Sequence, residues 1–225
     1  MSKTNKQVFQ EYIEIVINPQ RFELIHDYLS EECLFHTPPY VGLGIMIDDT
    51  SGDKVLIQEI APNGPAAGHL QEGDEIVKVS DERGVRETYE QLRPSVWGQG
   101  TIGAPITVTI RREGKDLDVT FSRGRIEAFD TTLSDVLEIW KHYMQNTWPG
   151  QKSEIKLLVE EGDLVAYYML VSGTNADYNQ PAVWADCGVV RFKDGKISEW
   201  WSVEDELSQI RQLGYRIEEP EKEAV

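Results

Sequence analysis

Cysteine is nearly missing from this chain: Cys33 and Cys187 are the only two in 225 residues. That rules out a disulfide framework, and without a CxxC pair it gives no sign of a zinc site. Histidine is almost as scarce, and His26, His69 and His142 lack the mutual spacing of a metal site, so no metal is expected. No apolar run approaches the roughly 20 residues that span a bilayer. The polar stretch Met1–Gln10 lacks the apolar core of a secretory signal. Positive charge is also short: 22 Lys and Arg stand against 39 Asp and Glu, a net −17. Such a chain repels phosphate backbones and anionic lipid, so neither nucleic acid nor membrane insertion is expected. The expectation is a soluble cytoplasmic protein.

What the sequence does have is enough apolar residue, 40%, for a packed core in each of two small domains. Helical spacing runs from Asn5 to Leu29 with a break at Asn18-Pro19. From Tyr40 the texture becomes short β-rich runs separated by Gly and Pro, with a short helix expected at Pro65–Leu70 and a longer one at Arg86–Arg93. After Arg125 an amphipathic helix, Thr132–Asn146, precedes strands at 153–160, 164–174, 183–193 and 196–203. Glu161-Gly162-Asp163 and Asp194-Gly195 have the composition of hairpin turns. The segments outside 40–124 thus read as one domain, 1–39 with 125–217, interrupted by a separate mixed unit. An acidic tail, 218–225, is expected to be flexible.

The middle unit carries Gly42-Leu43-Gly44-Ile45, then Ala61-Pro62-Asn63-Gly64-Pro65-Ala66-Ala67-Gly68, then Glu72-Gly73-Asp74-Glu75-Ile76. In these motifs it resembles a PDZ domain of the type found in bacterial carboxyl-terminal processing proteases, without a serine–lysine dyad. A Gly-x-Gly turn leaves successive amides free to hold a terminal carboxylate. Gly42, Leu43, Gly44, Ile45 and Ile47 are therefore the candidate peptide-binding residues, with a protein or peptide C-terminus as partner. The alternative is a groove that is vestigial or filled by the chain itself.

The outer segments carry His36-Thr37-Pro38-Pro39, Thr147-Trp148-Pro149-Gly150, Glu161-Gly162-Asp163-Leu164-Val165-Ala166, Gly173-Thr174-Asn175 and Asp194-Gly195-Lys196-Ile197-Ser198-Glu199-Trp200. They resemble the SnoaL-like polyketide cyclases of the nuclear-transport-factor-like superfamily. The resemblance implies an α+β fold, a cone-shaped curved antiparallel sheet wrapped by helices, here interrupted by a PDZ β-sandwich or partly open barrel. It further implies an apolar pocket for a small ligand, a homodimer, and cofactor-free ring closure by aldol condensation.

Asp186 is the candidate acid/base, on the strand face shared by Trp184, Val190 and Phe192, where burial would raise its pKa. The family's strand carboxylate aligns nearer Gly188. Pairing with Arg191, or a place on a dimer surface, is the alternative role for Asp186. His36 matches a pocket-mouth histidine and is the second catalytic candidate; it can equally cap the break before Pro38-Pro39. Asn175 stands where the family has histidine, and it cannot shuttle a proton near neutral pH. Tyr168, Asn175, Trp184 and Trp201 are the candidate pocket residues. Adjacent Trp200 and Trp201 must point to opposite sides of their strand. Three functions stay open: a cyclase- or isomerase-like enzyme on a mostly apolar carbonyl compound, a non-catalytic ligand sensor, and a dimeric adaptor whose PDZ unit recruits a partner.

Overall fold

The computed structural model describes residues 3–48, 52–92 and 96–215; the acidic tail, 218–225, lies outside them. The chain divides into two compact units, one formed by the segments up to Thr37 and from Asp130 onward, the other by Pro38–Phe129.

In the first unit, helix α1 (Asn5–Glu11) starts at a capping box, in which Thr4 and Gln7 satisfy each other's backbone N–H groups. It runs into a π-turn segment, Tyr12–Ile17. Phe9, Tyr12, Ile13 and Val16 are buried, the stripe that helical spacing requires. At the expected break the Asn18 amide donates to the Ser153 carbonyl at 3.0 Å and accepts from the Ser153 N–H at 2.7 Å. The second expected helix is shorter than its periodicity suggests. A 3-10 turn at Phe22–Leu24 and α2 (Ile25–Tyr28) lead directly into strand β1 (Leu29–Thr37).

The second unit begins with β2 (Tyr40–Gly42) and β3 (Ile45–Asp48), then β4 (Leu56–Ile60), β5 (Glu75–Asp81) and β6 (Gly84–Arg86). Helix α3 (Tyr89–Leu92) starts three residues later than expected, because Arg86 belongs to β6 and the Gln91 side-chain oxygen accepts from the Glu87 and Thr88 N–H groups. Arg93 lies outside the described residues. The segment Pro65–Leu70 forms turns rather than a helix. Strands β7 (Pro105–Arg112), β8 (Lys115–Ser122) and β9 (Gly124–Ile126) follow. The main sheet has the order β3-β4-β5-β7-β8, and β6 pairs with β5. The unit extends past the 40–124 expected because β2 pairs with β9, Tyr40 opposite Ile126, and buries Ile126.

Strand β10 (Phe129–Thr132) returns the chain to the first unit. Helix α4 (Leu133–His142), capped by Thr132 and Asp135, ends in a π-turn at Tyr143–Thr147. Four long strands follow: β11 (Lys152–Glu161), β12 (Leu164–Asn175), β13 (Gln180–Lys193) and β14 (Lys196–Glu204), then α5 (Glu206–Gln212). Positive φ at Gly162, and at Asp194 and Gly195 together, confirms the two hairpin turns. The sheet order is β10-β1-β14-β13-β12-β11. The expected four-stranded meander is therefore a six-stranded sheet, and β1 runs parallel to β14. The unit is α+β, a curved sheet with helices on one face. Its core joins Phe9, Tyr12 and Met144 on the helical side to Tyr167, Val190 and Trp200 on the sheet.

Candidate functional site

Strand alternation decides which candidates can meet. On β13, Ala182, Trp184, Val190 and Phe192 are buried, so the even-numbered side chains, Asp186 among them, face the helices. On β12 the same face carries Val165, Tyr167, Met169 and Val171. Asp186 is half-buried there. It accepts a hydrogen bond from the Tyr167 hydroxyl at 3.1 Å, and that hydroxyl in turn accepts from Trp200 Nε1 at 2.9 Å. Desolvation first, and the neighbouring Glu204 second, push the Asp186 carboxyl up to about 7, against the Tyr167 hydrogen bond that pulls it down. Arg191 is not its partner: it pairs with Glu199 at 2.8 Å and with Asp163 at 3.4 Å.

Position 188 has no room for a side chain. A Cβ at that position would lie 2.2 Å from the Trp201 carbonyl oxygen and 2.7 Å from the Tyr167 hydroxyl. Tyr167, directly opposite in the ladder, fills the space a side chain at 188 would need. Residue 186, two positions along the same face, is where an acid fits.

Glu204 is the residue that sequence reasoning passed over. It is the cross-strand partner of Asp186 and accepts from Trp184 Nε1 at 3.1 Å. Glu204 as a whole is exposed, with its carboxylate held by the Trp184 indole. Desolvation raises its pKa, the Trp184 hydrogen bond opposes this, and Glu206 adds to the rise. The signal lay in register: position 204 counted back through the Asp194-Gly195 hairpin falls opposite 186. Tyr143 closes this region from the helical side. Burial pushes its phenol up to about 12, and Gln209 Nε2 donates to its oxygen at 2.9 Å.

The other candidates lie elsewhere. His36 follows the core residue Phe35 on β1 and so faces away from the helices. It stacks on Trp201 with ring centroids 4.3 Å apart and planes 12° from parallel. Its Nδ1 is 2.7 Å from Asp130 and its Nε2 3.2 Å from Glu199. His36 and Asp186 are thus on opposite faces of one sheet and cannot serve a common reacting atom. Tyr168 and Trp201 share the His36 face. Trp200 and Trp201 do diverge, Trp200 into the core. Asn175 is buried, but its oxygen accepts from the N–H groups of Asp177 and Tyr178, which makes it a turn cap. Trp184 is buried against Trp148 at 4.7 Å and stays with Asp186. Among the described residues no group of His, Cys, Asp and Glu could hold a metal ion.

In the second unit, β3 is an edge strand of the main sheet. Its Ile45 and Ile47 pack partly on the core. Leu43 is itself in the core, and its carbonyl accepts from the Ala66 N–H at 3.0 Å. Gly44 has φ +72° and packs on Gly64, where a Cβ on Gly44 would come within 3.1 Å of the Gly64 backbone. Gly42 is paired with Gly124.

Residues 131–213 match the SnoaL-like polyketide cyclase family. Residues 41–122 match the PDZ domain family. Among solved structures, IdmH of Streptomyces antibioticus, a candidate polyketide cyclase, aligns over 95% of this chain and 100% of its own, with 16% identity and a TM-score of 0.47. A candidate polyketide cyclase of Acidithiobacillus ferrooxidans covers 95% of this chain and 96% of its own, at 13% identity and TM-score 0.43. An NTF2-like protein of Burkholderia thailandensis covers 38% and 67%, at 22% identity and TM-score 0.34. No curated protein matches by sequence. Among the described residues no helix is long and apolar enough to cross a membrane.

Proposed function

We propose that the first unit is a cofactor-independent cyclase or isomerase for a small, mostly apolar carbonyl compound, with Asp186 as its acid/base. The observation that carries this reading is the environment of Asp186: half-buried, held by one phenol, and pushed up to about 7, where a carboxyl both gives and takes protons near neutral pH. In an aldol closure Asp186 takes a proton from the carbon beside a carbonyl, and the C–H electron pair forms the enolate. The enolate carbon bonds to a second carbonyl carbon, and Asp186 returns the proton to the new alkoxide. Tyr167 and Trp184 orient the acid and its neighbour. His36 has no part in this step.

The test is turnover of diketone and β-keto substrates by the intact chain and by Asp186→Asn. Loss of about two to four decades in kcat is expected, the usual worth of a positioned acid/base; unchanged turnover would refute the assignment.

A second reading, a ligand sensor or adaptor, is favoured by the aromatic packing around the site. Phe9, Tyr167 and Trp200 are in mutual contact, with centroids 5.0 to 5.9 Å apart, and leave little room beside Tyr167. In either reading the second unit binds a peptide C-terminus along the β3 edge, with Ile45 and Ile47 beneath it and the Gly42–Gly44 segment toward its carboxylate. The chain pairs with a second copy through the His36 face of the sheet, where Leu157, Val159, Tyr168 and Val203 are exposed. An amidated peptide binding as tightly as the free acid would count against the first of these, and a monomer in sedimentation against the second.

A further inference from the structure

Glu204 offers a role beyond that of a neighbour to Asp186. The N–H of Asp205 donates to the Ala185 carbonyl at 2.9 Å, which makes 185 and 205 a hydrogen-bonded pair of the antiparallel ladder. Asp186 and Glu204, one step in, are then a non-hydrogen-bonded pair, the class in which opposite Cα atoms approach to about 4.5 Å and side chains lie closest. Both side chains are on the helical face. Each is anchored by a separate donor from the sheet, Tyr167 for Asp186 and Trp184 for Glu204, both at 3.1 Å. Among the described residues no lysine or arginine forms an ion pair with either; Arg191 of the same strand is on the opposite face with Glu199.

We propose that Asp186 and Glu204 share one proton, with Glu204 the positioning residue that keeps it within reach of Asp186. Two anions directly opposite on a strand pair repel each other and resist the second ionisation, and here no cation relieves them. The groups facing the pair add no positive charge: Tyr167 and Ser202 come from the sheet, Tyr143 from the π-turn after α4, and Glu206 from α5. Asp186 thereby stays near the balance between donor and acceptor at neutral pH, where an isolated carboxyl would be an anion. The pair rests on the acid/base reading for its use, but not for its existence, which is a property of the free protein.

The experiment is a carboxyl-carbon NMR titration of the full chain and of Glu204→Gln. In the parent, Asp186 and Glu204 titrate in two linked steps. In Glu204→Gln the Asp186 midpoint falls by about one unit, a tenfold loss of proton affinity, and Glu204→Asp restores it. An Asp186 midpoint unmoved in folded Glu204→Gln overturns the proposal. Should that variant not fold, Trp184→Phe removes the donor that holds Glu204 ionised, so the Glu204 midpoint rises and the Asp186 midpoint falls as the opposing charge recedes; a rise at Glu204 with Asp186 unmoved overturns the proposal. No substrate enters these titrations, so a positive result beside unchanged turnover in Asp186→Asn would sink the catalytic reading and leave the pair standing.

Discussion

Asp81 in the second unit and Asp186 in the first are both withdrawn from water, and their surroundings are opposite. Desolvation pushes Asp81 up, but Arg83, Arg86 and Arg123 all hydrogen-bond to it and bring it down to about 2. Arg123 is fully buried with it and also donates to the Trp97 carbonyl at 2.8 Å. Asp186 has one phenol and a second acid, and its carboxyl rises to about 7. A fold that needs a buried carboxylate for structure supplies cations to saturate it. The carboxyl left short of partners, on the face that meets the helices, is the one proposed above for proton transfer.

The contrast can be broken at Arg123 first. Arg123→Met leaves part of the Asp81 charge buried without its innermost partner, and removing one member of a buried pair costs about 3–5 kcal/mol. Urea unfolding should show the loss. Asp186→Asn should act the other way. Because the folded pKa of Asp186 is raised, its contribution to stability is full below the unfolded value and is lost as pH rises toward and through about 7. Asparagine removes that penalty, so the variant gains about 2 kcal/mol over the parent at pH 8 and little at pH 4, read as thermal midpoints at the two pH values. Asp81 gives the mirror image. Its folded pKa is depressed, so its stabilisation is present above the unfolded value and disappears as pH falls from about 4 through about 2. In Asp81→Asn that acid-limb dependence flattens. The smallest effect is expected from Tyr167→Phe. It unpairs the Trp200 N–H at a cost of about 1–2 kcal/mol and lifts the Asp186 midpoint further, since the lost hydrogen bond was holding it down.

Much of this arrangement was legible in the sequence where it depended on periodicity. Alternation placed Asp186 with Trp184, Val190 and Phe192, and the adjacency of Trp200 and Trp201 required them to diverge. What failed depended on partners distant in sequence. His36 and Asp186 look equally suited to a pocket until β1 is seen to run beside β14 with Phe35, and not His36, turned to the core. Asn175 has the composition of a pocket donor, yet its oxygen is taken by the turn that follows it. Glu204 carries no motif; only the hairpin register brings it opposite Asp186. The late start of α3 reflects a partner distant in pattern too: Gly84–Arg86 pairs with β5, and Gln91 caps the N–H groups of Glu87 and Thr88 before the helix begins.

Gln212 of α5 has a consequence of its own. Its side-chain amide accepts from the Val183 N–H at 2.9 Å and donates to the Val183 carbonyl at 2.7 Å, on the part of β13 that outruns the last residue of β14 paired to it. One side chain thus imitates the next strand of the ladder. Any extended segment from another molecule that approached this overhang would find its docking groups already occupied, so the longest strand of the protein is shielded against runaway chain-to-chain stacking by a single amide.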